Sequence, residues 1–152
     1  AQGSAELVNV ALRANALGLQ VQDLAQVSLE DSILTDNAVG VEAWVGARLS
    51  ITGTAISGSN VAIKTLRNAW ATLASSQVFA NAIGVEVWDS RQVTIDTMRI
   101  ADNSGDGLWV RGSTGNRWHG VEIRDAAQVL MGHCRLPEDL KKKEGNQPVA
   151  LE

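Results

Sequence analysis

Two stretches 44 residues apart carry almost the same words: Asn37-Ala38-Val39-Gly40-Val41-Glu42 and Asn81-Ala82-Ile83-Gly84-Val85-Glu86. The echo is one part of a longer rhythm. Asn15, Asn37, Asn60, Asn81 and Asn103 open successive units at spacings of 22, 23, 21 and 22. A short apolar pair recurs in register: Val27/Leu29, Leu49/Ile51, Ala71/Leu73 and Val93/Ile95, with Ala5/Leu7 one step before and Asn116/Trp118 one step after. A third position reads Leu12, Leu34, Ile56, Val78, Ile100 and Ile123. A fixed period of this size is the signature of a stacked repeat architecture, and it constrains the fold more than any other feature of the chain.

Each unit holds three segments of three to five residues that alternate apolar and polar, the signal of a strand. Gly, Asn, Asp and Ser separate them, residues that accept tight bends. A unit this short cannot bury its own apolar face. It can do so when coils stack and every strand pairs in parallel with its counterpart about 4.8 Å along the axis. Parallel connections favour the right-handed sense. No apolar stripe of helical period lasts three turns. The expectation is an all-β chain: a right-handed, single-stranded parallel β-helix (β-solenoid) of about six coils, each ~22 residues. Its 45 % hydrophobic and 20 % charged residues suit a folded chain with a core.

The pattern N-x-x-G-[VL]-x-[VA]-x-x-[SG]-x-x-[VL]-[ST]-I, running from Asn15, Asn37 and Asn81, resembles the right-handed parallel β-helix repeats of the pectin-lyase-like superfamily. The resemblance covers roughly Ala5 to Met131. It implies the fold and leaves function open, since that superfamily holds polysaccharide lyases, hydrolases, epimerases, phage tailspikes and non-catalytic passengers.

Stacking turns columns into the units of interpretation. Asn15, Asn37, Asn60, Asn81 and Asn103 form a structural amide ladder. Ser32, Thr54 and Ser76 point inward as a short hydroxyl ladder, and Gly18, Gly40, Gly84 and Gly107 shape the bend. On the outside of one strand Gln20, Glu42, Lys64, Glu86 and Trp109 stand in line. Glu42 and Glu86 are two rungs, roughly 9.6 Å, apart. That separation suits an inverting glycosidase and makes them weak catalytic candidates. An alternating-charge ladder with Lys64 between them is the better account. Trp118 belongs to the core column. Trp44 and Trp88 share an outer column with Leu66 between them, Trp70 sits at the next bend, and Trp109 flanks the stripe. The binding candidates are therefore Trp44, Leu66, Trp70, Trp88 and Trp109, grouped near one corner. Stacking on sugar rings, a protein interface, and packing on one another all remain open for them.

Much chemistry is missing. Asp23 and Asp89 share a column, but Val45 and Arg67 separate them, so no calcium cage or other metal site is expected there. Phosphate loops, zinc spacings and cofactor motifs are absent. A net charge of −4 without a basic stripe argues against nucleic acid. No apolar run approaches the ~20 residues of a membrane span. Gly132-His133-Cys134 only faintly echoes a hydrolase motif. The outward Ser28, Ser50, Thr72 and Thr94 column is regular, but one residue wide.

The β-helix is expected over residues 1–136. Residues 137–152 read as a capping helix and tail, with Pro137 at the start, acids in the first turn, lysines in the last and Gly145 after it. The opposite end lacks a cap, which points to a piece of a longer solenoid or to a homo-oligomer joined through that edge. The functional expectation is a non-catalytic scaffold or binding module of a larger exported protein, extracellular or periplasmic, engaging polysaccharide or protein through the tryptophan corner. The alternatives are the C-terminal part of a polysaccharide lyase or glycoside hydrolase, and a self-assembling edge-to-edge element.

Overall fold

The computed structural model describes residues 3–111 together with the strand segments Val121–Arg124, Leu130–Met131 and Cys134–Arg135. Among the described residues eighteen strands fall into three six-stranded parallel sheets. Five-residue strands make sheet A: β1 (Ser4–Val8), β4 (Gln26–Glu30), β7 (Arg48–Thr52), β10 (Trp70–Ala74), β13 (Gln92–Asp96) and the shorter β16 (Val121–Arg124). Sheet B holds the three-residue strands β2 (Ala11–Arg13), β5 (Ile33–Thr35), β8 (Ala55–Ser57), β11 (Gln77–Phe79) and β14 (Arg99–Ala101), with β17 (Leu130–Met131). Sheet C holds β3 (Leu17–Val21), β6 (Val39–Ala43), β9 (Val61–Leu66), β12 (Ile83–Trp88), β15 (Leu108–Arg111) and β18 (Cys134–Arg135). Successive strands visit A, B and C in turn, so each circuit adds one rung to every sheet. This is the parallel β-solenoid expected from the period. The expected capping helix, residues 137–152, lies outside the described residues.

Register follows the sequence period. Leu29 pairs with Ile51, Ile51 with Leu73 and Leu73 with Ile95, and all four are fully buried. Leu34, Ile56, Val78 and Ile100 line sheet B inside, and Val41, Ile63, Val85 and Leu108 line sheet C, all at 0 % exposure. Completely burying one such side chain contributes roughly 1.5–3 kcal/mol. The core is thus a stack of short branched residues, each touching its own kind one rung away.

Corners obey the same period. Asn9, Asp31, Gly53, Ser75 and Thr97 turn the chain from sheet A to B with φ between 47° and 61°. Ala14, Asp36, Gly58, Ala80 and Asp102 turn it from B to C, again at positive φ. Asp23, Val45, Arg67 and Asp89 open the third corner, and Leu24, Gly46 and Asn68 follow the first three of them, also left-handed. One left-handed residue redirects an extended chain without a longer loop, and Asn, Asp and Gly accept that conformation best.

Two polar ladders stitch the rungs. Val10 N–H donates to Ser32 Oγ (3.1 Å), Ser32 N–H to Thr54 Oγ1 (3.3 Å) and Thr54 N–H to Ser76 Oγ (3.1 Å). Each hydroxyl in turn donates to the carbonyl two residues before it. The inward hydroxyl column read from the sequence is therefore present and fully engaged. In the amide ladder Asn15 N–H and Nδ2 both donate to Asn37 Oδ1, and Asn81 repeats this with Asn103, at 3.0 and 3.1 Å.

Asn60 is a correction. The rung is filled by Ser59, buried at 3 %, whose N–H donates to Asn81 Oδ1, whereas Asn60 is exposed. The strand phase decides this: Val61 pairs with both Val39 and Ile83, which places residue 59, not 60, over Asn37 and Asn81.

The glycine column also acts differently from expectation. Gly18, Gly40 and Gly84 do not have positive φ. They are small because a Cβ at Gly18 would meet Gly40 O at 2.5 Å, and one at Gly40 would meet Ala62 O at 2.5 Å. Close backbone approach, not bending, excludes a side chain there.

The last rung departs from the period. Val93 pairs with Val121 and Ile95 with Ile123, a step of 28, and Ile100 pairs with Met131. Met131, not Ile123, therefore continues the column of Ile100, while Asn116 and Trp118, expected beyond Val93 and Ile95, lie outside the described residues. Val87 and Val93 are six positions apart, while Val110 and Val121, their partners, are eleven apart.

Candidate functional site: the outer face of sheet C

Strand parity sends Gln20, Glu42, Lys64, Glu86 and Trp109 outward from sheet C in one register column. Two positions along stand Gln22, Trp44, Leu66, Trp88 and Arg111. The pairings of Leu66 with Trp88 and of Trp88 with Arg111 confirm this second column. Trp44 Nε1–H donates to Gln22 Oε1 at 3.0 Å, fixing the indole along the axis. Trp88 remains 40 % exposed, and Trp44 and Leu66 are half-buried.

Charge organises this face. Glu86, 4 % exposed, accepts a hydrogen bond from Arg111 Nη1 (2.9 Å) through Oε1 and faces Lys64 Nζ (3.9 Å) through Oε2. The Arg111 guanidinium lies 4.4 Å from the Trp88 ring centroid and 4.6 Å from that of Trp109. A buried carboxylate needs partners for both oxygens, and a guanidinium can serve a carboxylate and aromatic faces at once. Glu42 Oε1 accepts Gln20 Nε2 at 3.1 Å. Of the alternating-charge ladder expected here, the Lys64–Glu86 pair is present, while Glu42 is held by Gln20.

Glu42, Trp44, Lys64, Leu66, Arg67, Trp88 and Asp89 enclose a cleft of about 460 Å³. Its floor is the Trp44–Leu66–Trp88 column. Arg67, from the corner after β9, lays its guanidinium 5.6 Å from the Trp44 centroid. Asp89 comes from the equivalent corner one rung on. Sequence reading did not single out either residue as part of a site. The signal was there, since both share the corner column with Asp23 and Val45, one residue beyond the tryptophan column.

The structure unites Trp44, Leu66 and Trp88 and connects Trp109 to them through Arg111. It separates Trp70. The left-handed Arg67 and Asn68 turn the chain between Leu66 and Trp70, so Trp70 opens β10 on sheet A. There Arg48 and Arg91 flank its ring, at 4.8 and 5.4 Å. It borders two shallow grooves of about 690 and 850 Å³, the first floored by Ser28, Ser50, Thr72 and Thr94. Among the described residues no group of His, Cys, Asp and Glu is placed to hold a metal ion. No helix among them is long and apolar enough to cross a membrane.

Three parallel sheets stacked rung on rung, with polar ladders inside and all remaining chemistry on outer faces, define the chain as a parallel β-solenoid. It belongs to the family described as right handed beta helix region, whose model matches residues 1–136. No curated protein and no solved structure shows significant similarity to the chain.

Proposed function

We propose that the chain is a non-catalytic, carbohydrate-binding β-helix module of a longer exported protein, and that the sheet C cleft is its binding surface. The observation that carries this reading is the cleft itself. An apolar floor with Trp44 and Trp88 two rungs apart, roughly 9.6 Å along the axis, is rimmed by hydrogen-bonding Glu42, Lys64, Arg67 and Asp89. Indole faces pack against the C–H faces of sugar rings while polar rims bond the hydroxyls, the usual division of labour in such sites. The regular rung step repeats the platform along one axis, which suits a polymer. Saccharide polymers of this kind are met outside the cell or in the periplasm, which supports the exported assignment. Burial of Glu86 and its bond from Arg111 favour binding over glycoside hydrolysis, which requires two carboxyl groups open to the substrate.

Affinity electrophoresis through gels containing a panel of soluble polysaccharides tests the proposal. At least one polymer should retard the chain, and Trp88→Ala should abolish the retardation while leaving the far-UV circular dichroism unchanged. Retardation indifferent to Trp88, or none across the panel, refutes it.

A further inference from the structure

Sheet A presents a second polar surface, away from the tryptophan cleft. Its first outward column reads Ser4, Gln26, Arg48, Trp70 and Gln92, and its second Glu6, Ser28, Ser50, Thr72 and Thr94, each residue paired with the next one rung along. Arg48 comes from the rung before Trp70, and Arg91, at the corner leading into β13, from the rung after it. The two guanidiniums bracket one indole, at 4.8 and 5.4 Å from its centroid. Two rung steps separate the arginines, roughly 9.6 Å.

The chain has 17 acidic against 13 basic residues, yet among the described residues neither Arg48 nor Arg91 has an acid within ion-pair distance, whereas Lys64, Arg99 and Arg111 each do. Stacking on an aromatic ring occupies the face of a guanidinium and leaves its N–H donors free in the plane. Both arginines are exposed, so those donors are open to a ligand. The indole between them holds both forks in place, and such ordering lowers the cost of taking up an anion. Ser50 and Thr72 add hydroxyls to the groove between the arginines. Glu6, the one acid lining the two grooves among the described residues, stands two rungs before Arg48 at the far end.

We infer that this face binds a saccharide chain carrying a sulfate ester or carboxylate on every second ring, one oxyanion on Arg48 and the next on Arg91. A guanidinium fork matches the oxygens of either group. An extended pyranose chain advances by about one rung step per ring. Cations two rungs apart therefore meet alternate rings, and the ring between them lies beside Trp70 and Thr72. The shallow polar floor does not suit a peptide, which needs pockets for alternate side chains. Two cations on a chain of net charge −4 are too few for a nucleic acid, whose binding rests on many phosphate contacts. The surface is separate from the sheet C cleft, and its loss would leave binding there intact.

Calorimetric titration of the full chain provides the test, with κ-carrageenan oligosaccharides (sulfated on alternate rings), hyaluronan oligosaccharides (carboxylated on alternate rings) and neutral cello-oligosaccharides. Each series is titrated into wild type and into Trp88→Ala, whose sheet C cleft is disabled. In Trp88→Ala at least one charged series should still bind and the neutral series should not. Raising the salt to about 0.5 M should weaken that binding, since the contacts are exposed charges. Arg48→Gln and Arg91→Gln, each added to Trp88→Ala, should each lower the affinity by about tenfold, the worth of a charge-assisted bond. Their far-UV circular dichroism should stay unchanged, because both side chains are exposed. Binding by the sulfated or the carboxylated series alone supports the assignment and names the oxyanion. In Trp88→Ala, silence from both charged series, equal affinity for the neutral one, or undiminished affinity in either arginine variant overturns it. Charged-series binding present in wild type and lost in Trp88→Ala moves the ligand to the sheet C cleft and overturns it as well.

Discussion

Replacing Ser59 with asparagine should stabilise the protein by completing the interrupted amide ladder. In the intact rungs an asparagine accepts two bonds from the rung before it and sends Nδ2 to a carbonyl 25 residues back: Asn37 to Leu12 O (3.0 Å), Asn81 to Ile56 O (3.1 Å) and Asn103 to Val78 O (3.4 Å). Ser59 Oγ has no hydrogen-bond partner among the described residues, so it does not accept the Asn37 N–H as an asparagine would. An asparagine at 59 would accept Asn37 N–H and Nδ2 and donate to Leu34 O, three bonds at the same offsets. Space is available. The asparagine side chain packs over a glycine 19 residues earlier, as Asn37 does over Gly18 and Asn103 over Gly84, and Gly40 waits at that offset from 59.

Three buried bonds at about 1 kcal/mol each, less about 1 kcal/mol for ordering the longer side chain, leave about 2 kcal/mol net. For a chain of this size that raises the midpoint by about 4–8 °C in a circular dichroism melt. Two controls isolate the cause. Ser59→Ala should add at most about 1 kcal/mol, since it removes the orphan hydroxyl without adding bonds. Asn60→Ala should stay within about 0.5 kcal/mol, because Asn60 is exposed. A midpoint unchanged or lowered in Ser59→Asn, or an Asn60→Ala loss as large as that of Asn81→Ala, would refute the register on which the reasoning stands.

Other perturbations read other parts of the fold. Val45, a β-branched residue at φ 55° and 37 % exposed, sits in a conformation that costs such residues about 1–2 kcal/mol; Val45→Asn should recover about 1 kcal/mol in urea unfolding. Arg111→Met removes the bonded partner of the buried Glu86 and the cation between two indoles. The loss should be about 2–3 kcal/mol, below the full value for a buried pair because Arg111 is partly exposed, with acrylamide quenching of tryptophan fluorescence increased. A Glu86→Gln, Arg111→Met double variant should recover part of that loss, since it no longer strands a charge.

The solenoid, its three faces and the hydroxyl ladder were legible in the sequence because period 2 and period 22 act together: one assigns inside and outside, the other superimposes rungs. Three readings failed where a second force imitated the first. Asn60 satisfies the compositional preference of a turn, and only strand phase shows that Ser59 holds the rung. Ile123 stands near the expected spacing from Ile100, yet it pairs with Ile95 because β16 begins five residues late. Trp70 is close to Leu66 along the chain, yet two left-handed residues between them put it on another sheet. Asp89 and Arg67 were not joined to the tryptophan column because a corner residue's direction depends on φ, which column alignment does not encode.

The widened final step has a consequence for how such a molecule can change. Five additional residues enter between β15 and β16, and the strands on either side keep their partners as if nothing had happened. Length variation between strands is absorbed locally, since each strand is located by the one beneath it and not by its chain neighbours. Evolution or an engineer can therefore graft excursions onto the rim of this prism one coil at a time, acquiring new surface without renegotiating the interior.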